Sequence, residues 1–225
     1  MRAVLVANPK GGAGKTTLFD VVTGLVRASA GQIRLRGEPI QDETVHGICR
    51  LGIARTFQQP SVFDTQSVLS NALAGAQFGR HLSLVSGLRL APPVLDRAVA
   101  ELEFVALADR AAEQAGPLPV FDKKRLMIAS ALATDPVLLF LDEPFGGLNA
   151  GEVDDLMALL RAVKERGVTL VLIEHVMRAL MSLSDRVLIM NHGKSLFEGS
   201  PADVIADEEV VRVYLGRAGQ AGHRG

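Results

Sequence analysis

The chemistry in this chain begins with Lys10-Gly11-Gly12-Ala13-Gly14-Lys15-Thr16-Thr17, directly after the apolar run Ala3-Val4-Leu5-Val6-Ala7. A buried strand that runs into a glycine-rich turn and a Lys-Thr pair builds a cradle for nucleotide phosphates. The backbone N–H groups of Gly11, Gly12, Ala13 and Gly14 can close around phosphate oxygens. Lys15 reaches the β- and γ-phosphates, the Thr16 hydroxyl ligates Mg²⁺, and Thr17 belongs to the same phosphate-binding set. The usual spelling, Gly-x-x-x-x-Gly-Lys-[Ser/Thr], puts a glycine five positions before Gly14, where this chain has Pro9. Proline lacks an N–H and fixes φ, so one turn position is not standard.

Three further segments hold polar residues where such a cradle needs them. Leu138-Leu139-Phe140-Leu141-Asp142-Glu143-Pro144 is a strand ending in two acids. Acids at the carboxyl end of a buried strand face the ligand crevice of an open α/β sheet. Asp142 is expected to hold Mg²⁺, and Glu143 to polarise the attacking water as general base. Ile173-Glu174-His175 ends a second strand and places an imidazole at the same edge, able to bond a γ-phosphate. Gln58, at the end of Gly52-Ile53-Ala54-Arg55-Thr56-Phe57-Gln58, can ligate Mg²⁺ or the attacking water. His46, His81, His192 and His223 have no comparable context.

These residues need elements to carry them, and the chain supplies them. Its 225 residues predict one domain with a possible subdomain. Hydrophobic content of 48% with 22% charged residues is that of an ordinary folded protein. A net charge of −1 gives no global field for DNA or anionic lipid. Cys49 is the single cysteine, so an internal disulfide is excluded and a reducing compartment is expected. Apolar runs such as Val137-Leu138-Leu139-Phe140-Leu141 are far shorter than a membrane span, and the start is too short for a secretory signal.

β-branched runs alternate with helical patterns, which predicts an α/β fold with a mainly parallel sheet. Strands are expected at 3–7, 32–36, 53–57, 137–141, 168–173 and 186–190, with a short partner at 194–198 after a turn at Asn191-His192-Gly193. Helices are expected at about 15–26, 67–77, 94–106, 122–133, 151–165 and 175–183. Ser200-Pro201 reads as an N-cap followed by proline at the first helical position, and Asp207 and Gly216 as the limits of a last helix. The resulting organisation is a core at 1–64 and 131–216, an inserted helical subdomain at 65–130, and a flexible tail at 217–225.

With these motifs in order, the chain from about 17 to 216 resembles the ATP-binding subunit of an ABC transporter, most closely those serving branched-chain amino acid uptake. The likeness includes Arg50-Leu51-Gly52-Ile53-Ala54-Arg55-Thr56-Phe57-Gln58, Ala131-Leu132-Ala133-Thr134-Asp135-Pro136, Gly147-Leu148-Asn149 and Leu172-Ile173-Glu174-His175. Asn191-His192-Gly193-Lys194, Glu198-Gly199-Ser200-Pro201 and Tyr214-Leu215-Gly216 extend it. The resemblance implies a P-loop NTPase in which Lys15, Thr16 and Thr17 belong to the Walker A loop, Gln58 is the Q-loop glutamine and Asp142 the Walker B aspartate. Glu143 is then the catalytic base, Gly147-Leu148-Asn149 the D-loop and His175 the switch histidine. It implies ATP and Mg²⁺ as ligands, a head-to-tail dimer, and permease subunits docked near Gln58 and the helical insertion. It also implies a binding protein acting indirectly, and a cytoplasmic location on the inner face of the membrane.

Three departures shape the expectation. Relatives carry an N-terminal antiparallel sheet with an adenine-stacking aromatic, which this chain is expected largely to lack. Loss of such a stack costs about 1–3 kcal/mol by analogy with base–aromatic stacking. Strand 32–36 is then expected to present an open edge. The signature Leu-Ser-Gly-Gly-Gln is replaced by Leu118-Pro119-Val120-Phe121-Asp122, in which Pro119 offers neither hydroxyl nor N–H, Phe121 adds bulk and Asp122 is expected to repel phosphate. This favours a heterodimer over a homodimer. Residues 1–17, with Lys10, look more like the loop of partition ATPases. The expected function is therefore ATP hydrolysis coupled to import. The alternatives are a nucleotide-binding but weakly active ABC-like subunit, or a partition-type ATPase on DNA. For the last, Lys123-Lys124-Arg125 is the one basic run, and no nucleic acid partner is expected.

Overall fold

The computed structural model describes residues 3–7, 15–79, 92–174, 176–191 and 193–207. In chain order its elements are β1 (Ala3–Ala7), α1 (Lys15–Val22), β2 (Arg34–Leu35), β3 (Glu38–Pro39), α2 (Val45–Arg50), β4 (Ile53–Thr56), α3 (Val68–Phe78) and α4 (Pro92–Phe104). A 3₁₀ turn at Ala108–Arg110 is followed by α5 (Val120–Ala133), β5 (Leu138–Asp142), α6 (Ala150–Glu165), β6 (Thr169–Ile173), α7 (Met177–Leu183), β7 (Arg186–Asn191), β8 (Lys194–Gly199) and α8 (Pro201–Ala206).

Six strands form one sheet in the order β4-β5-β6-β1-β7-β8. All pairings are parallel except β7 with β8, which form an antiparallel hairpin closed at Gly193, φ +77°. Alternation along the central strands serves two buried faces. Leu139 and Leu141 of β5, with Leu170 and Leu172 of β6, enter the larger core, which also takes Leu156, Leu160 and Val163 of α6. Phe140 and Ile173 point the other way and meet Phe19 of α1, Ile48 of α2 and Ile53. Phe19 and Phe140 pack edge to face with centroids 4.6 Å apart. Strands buried on both sides read as continuous apolar runs, which is why β5 and β6 were legible in the sequence.

The helices α3, α4 and α5 pack against one another over 68–133. Gly75 permits the contact of α3 with α5, because a Cβ there would collide with the Ser130 carbonyl. The bidentate pair of Arg166, the C-cap of α6, with Glu101 of α4 (2.6 and 2.5 Å) ties this block to the sheet layer.

Several expectations are corrected. The 32–36 strand shrinks to Arg34–Leu35, and it is not an unpaired edge: it forms a separate hairpin with Glu38–Pro39. Arg36 and Gly37, φ +52° and +91°, make its two-residue turn. Helix α2 was not anticipated. It is short, and Val45, Gly47 and Cys49 are poor helix formers, but Thr44 caps it by accepting from the Gly47 N–H. Helix α5 starts at Val120, and Pro119, its N-cap, makes no side-chain cap bond. Helix α1 ends at Val22 rather than near 26. Ser200 is the expected N-cap with Pro201 behind it, and it forms a capping box with Asp203. The helix expected between Asp207 and Gly216, and the 217–225 tail, lie outside the described residues beyond Asp207.

Candidate active site

Parallel pairing brings the carboxyl ends of the central strands to one edge. Val6 of β1 and Asp142 of β5 both pair with Ile173 of β6, so the three lie in one row. Thr56 of β4 pairs with Leu141 one step back. The chain leaving β1 runs toward the glycine-rich segment, and the chains leaving β4, β5 and β6 carry Gln58, Glu143 and the 174–176 segment. This edge, where β1 is flanked by β6 and β7, is where open α/β sheets bind ligands.

Gln58 and Glu143 meet there: Gln58 Nε2 donates to Glu143 Oε2 at 2.8 Å. Glu143 holds a left-handed backbone, φ +45°, which a non-glycine residue adopts at a cost. Its N–H donates to the Ile173 carbonyl (2.9 Å), and its carbonyl accepts from Gly146 N (3.2 Å). The turn thus lifts the Glu143 carboxylate out of the strand, while Asp142 stays buried.

Asp142 is held by Arg55, a residue to which sequence reasoning gave no role. Arg55 Nη2 lies 3.3 Å from Asp142 Oδ2, and Nη1 donates to Asp20 Oδ1 at 2.5 Å and to Thr23 Oγ1 at 3.4 Å. The guanidinium also lies over the rings of Phe19 (5.5 Å) and Phe57 (5.0 Å). An arginine two residues before an exposed aromatic on a predicted strand was the available signal. Its partners sit 35 and 87 positions away.

The other expected site residues fall as follows. Lys15 and Thr16 begin α1, and Thr17 is exposed on it. Gly11, Gly12, Ala13, Gly14 and His175 lie outside the described residues. Among the described residues no cluster of three or more His, Cys, Asp or Glu side chains could hold a metal by itself. The donors at this edge, a buried carboxylate and an amide oxygen, fit Mg²⁺, which takes one or two carboxylates and completes its shell with water and phosphate. Asn149 caps α6 in a capping box with Glu152.

The signature segment differs most from expectation. Asp122 was expected to face and repel phosphate. Instead it is buried and bridges two arginines, accepting from Arg110 and, at 2.5 Å, from Arg125. Its charge is neutralised inside the subunit. Val120, on the first turn of α5, is exposed. The basic run is also committed: Lys123 pairs with Asp64 (3.2 Å), Lys124 is buried, and Arg125 holds Asp122 and the carbonyls of Val105 and Ala106. It forms no basic face for nucleic acid.

Beside Gln58 lies an open, mainly apolar cavity of about 340 Å³ between β4, α2, α3 and α5. Leu25, Val45, Cys49, Phe57 and Phe63 line it, and four of these, all but Cys49, are exposed large hydrophobics. Among the described residues no helix is long and apolar enough to cross a membrane.

Comparison with known proteins agrees with this architecture. The fold matches the ADP conformation of an ATP-binding cassette of an ABC transporter, with a TM-score of 0.84 and 28% identity over 96% of this chain and 88% of that one. The chain is thus an α/β protein of the P-loop NTPase class. The ABC transporter family pattern matches residues 10–146, and the pattern of the branched-chain amino acid ATP-binding cassette transporters matches residues 194–219. The chain belongs to the ABC transporter family of ATP-binding subunits. It is 38% identical to the high-affinity branched-chain amino acid transport ATP-binding protein BraF of Pseudomonas aeruginosa, over 92% of this chain and 84% of that protein. Its identity to LivG of Escherichia coli, a protein of the same description, is also 38%, with the same coverage.

Proposed function

We propose that this chain is the ATP-binding and ATP-hydrolysing subunit of an importer for branched-chain amino acids. The observation that carries the reading is the convergence of Gln58, Asp142 and Glu143 at the carboxyl edge of β4 and β5, with Asp142 in one row with Val6 of β1. Gly11, Gly12, Ala13, Gly14, Lys15 and Thr17 bind the phosphates of ATP. Thr16, Gln58 and Asp142 hold Mg²⁺, which supplies charge neutralisation for the developing phosphate oxyanions. Glu143 accepts the proton of the attacking water, with Gln58 holding its carboxylate, and His175 donates to the γ-phosphate. The chain is organised as a core of 1–64 and 131–216 with a helical subdomain at 65–130. Permease subunits dock in the apolar cavity beside Gln58, which fits an amphipathic helix. The subunit sits on the cytoplasmic face of the membrane, and a binding protein acts through the permease.

The test is equilibrium Mg-ATP binding to the purified chain, followed by phosphate release in the assembled transporter. Lys15→Ala is expected to weaken binding by about 10–100-fold, the worth of a charge-assisted hydrogen bond. Glu143→Gln should bind normally and lose about 10²–10⁴-fold in turnover. Equal turnover in Glu143→Gln would remove Glu143 from the mechanism.

One observation supports a second reading, a subunit that binds nucleotide and turns it over slowly without a complementing partner. Pro119, Val120 and Phe121 open α5 with no hydroxyl and no proline N–H, so this helix is a poor phosphate acceptor for an opposing subunit. A heterodimer then keeps one full composite site. Pro119→Ser with Phe121→Gly should raise the turnover of the chain by itself if this holds, and no change counts against it.

A further inference from the structure

Glu174 is fully buried, and the proposed mechanism gives it no part. Its Oε1 accepts from the Phe145 N–H at 3.1 Å, and its Oε2 accepts from the Val176 N–H at 3.2 Å. Phe145 lies two residues after Glu143, and Val176 lies one after His175. One carboxylate therefore spans the turn that carries the proposed base and the segment that carries the proposed phosphate donor. The Glu143 N–H is already held by the Ile173 carbonyl, so the turn is fixed on both sides of Glu143, a residue whose left-handed backbone, φ +45°, is adopted at a cost.

Lys124, in the second turn of α5, is itself only 5% exposed. Burial pulls its ammonium pKa down, and the negative charges of Glu174 and then Glu143 pull it back up.

We propose that Glu174 is a positioning residue: it ties the turn that aims Glu143 to the segment that carries His175. The inference rests on the reading of Glu143 as general base. It explains why an acid follows the apolar strand β6: two backbone donors from separate loops need two acceptor oxygens at one point.

The experiment uses the full chain in its assembled transporter for turnover, and the chain by itself for Mg-ATP binding and amide exchange. Gln in place of Glu174 keeps the volume but offers one acceptor oxygen, so it can hold only one of the two amides. Glu174→Gln is expected to lower kcat by about 10²-fold, the effect of misplacing a catalytic group by about 1 Å, with KM and Mg-ATP affinity within about twofold. Exchange at the Phe145 or Val176 amide should rise by about tenfold while Leu172 stays protected. Glu174→Asp, which keeps both acceptor oxygens one methylene short, should recover part of kcat. Unchanged kcat in Glu174→Gln, or a loss confined to KM, overturns the proposal. If Glu174→Gln does not fold, Glu174→Asp decides it by the same split of kcat from KM. Glu143→Gln runs in parallel. If that variant turns over normally, the reading of the base fails. If it is inactive while the Glu174 variants are not, only the positioning role fails.

Discussion

Gln58 and Glu143 are 85 positions apart in the chain and share a hydrogen bond of 2.8 Å between side chains. One leaves the edge strand β4, where the helical block begins, and the other leaves β5. The bond therefore joins the surface beside the apolar cavity to the proposed base, and a partner seated in that cavity would act on hydrolysis through it.

Removing the donor tests that relationship. Gln58→Ala is expected to reduce ATP turnover by about 10–100-fold, because a hydrogen bond to a charged group is worth about 1.5–3 kcal/mol, while Mg-ATP affinity changes less. Gln58→Glu sets two carboxylates against each other and raises the pKa of the pair. Its turnover should therefore fall off on the acid side at a higher pH than that of Gln58→Ala, because the base must be ionised to act. Identical profiles for the two variants would show that Gln58 does not act through Glu143.

Arg55 is the buried cation on which α1, β4 and β5 converge, with its side chain 6% exposed. Arg55→Met removes the counter-charge between Asp20 and Asp142 and should destabilise the chain by about 3–5 kcal/mol. For a chain of this size, thermal unfolding should move down by roughly 6–20 °C. Arg55→Lys keeps the charge but cannot fork to both carboxylates, so it should recover only part of the loss. A shift of less than a degree or two in Arg55→Met would contradict a structural role for the bridge.

Asp122 offers a contrasting case, because its charge is spent within the helical block. Asp122→Ala leaves Arg110 and Arg125 without their shared acceptor, although Arg110 keeps Glu113. The expected cost is about 1.5–3 kcal/mol, read by urea denaturation. Restoring glutamine at 122 should carry a similar cost, so a gain of turnover is to be sought at Pro119 and Phe121 first.

Cys49 reports on the cavity. Burial raises its thiol pKa, and only the thiolate is alkylated. At every pH below the raised value the folded chain holds less thiolate than a free cysteine, whose pKa is about 8.5. Alkylation at neutral pH should thus be slow, accelerate as pH rises, and return to the ordinary rate in denaturant. Permease binding should slow it further. A rate at neutral pH equal to that of an unstructured peptide thiol would place Cys49 outside a desolvated cavity.

The sequence by itself determined what is local or periodic. The apolar runs marked β1, β5 and β6, the helical pattern marked α6, the Ser200-Pro201 cap marked α8, and the order of loop, Gln58, paired acids and Ile173-Glu174-His175 marked the family, because backbone pattern and turn chemistry act over a few residues. Only the tertiary structure decided which of those residues touch. Arg55 finds Asp142 across 87 positions, Asp122 turns inward to two arginines, Lys124 is buried inside a run that reads as a basic surface, and Glu174 bridges two loops. Each is a charge whose position depends on where a distant counter-charge or backbone donor lies, since a buried ion is tolerated only beside its partner. That partner is supplied by the strand order and the packing of α5, which no local window contains.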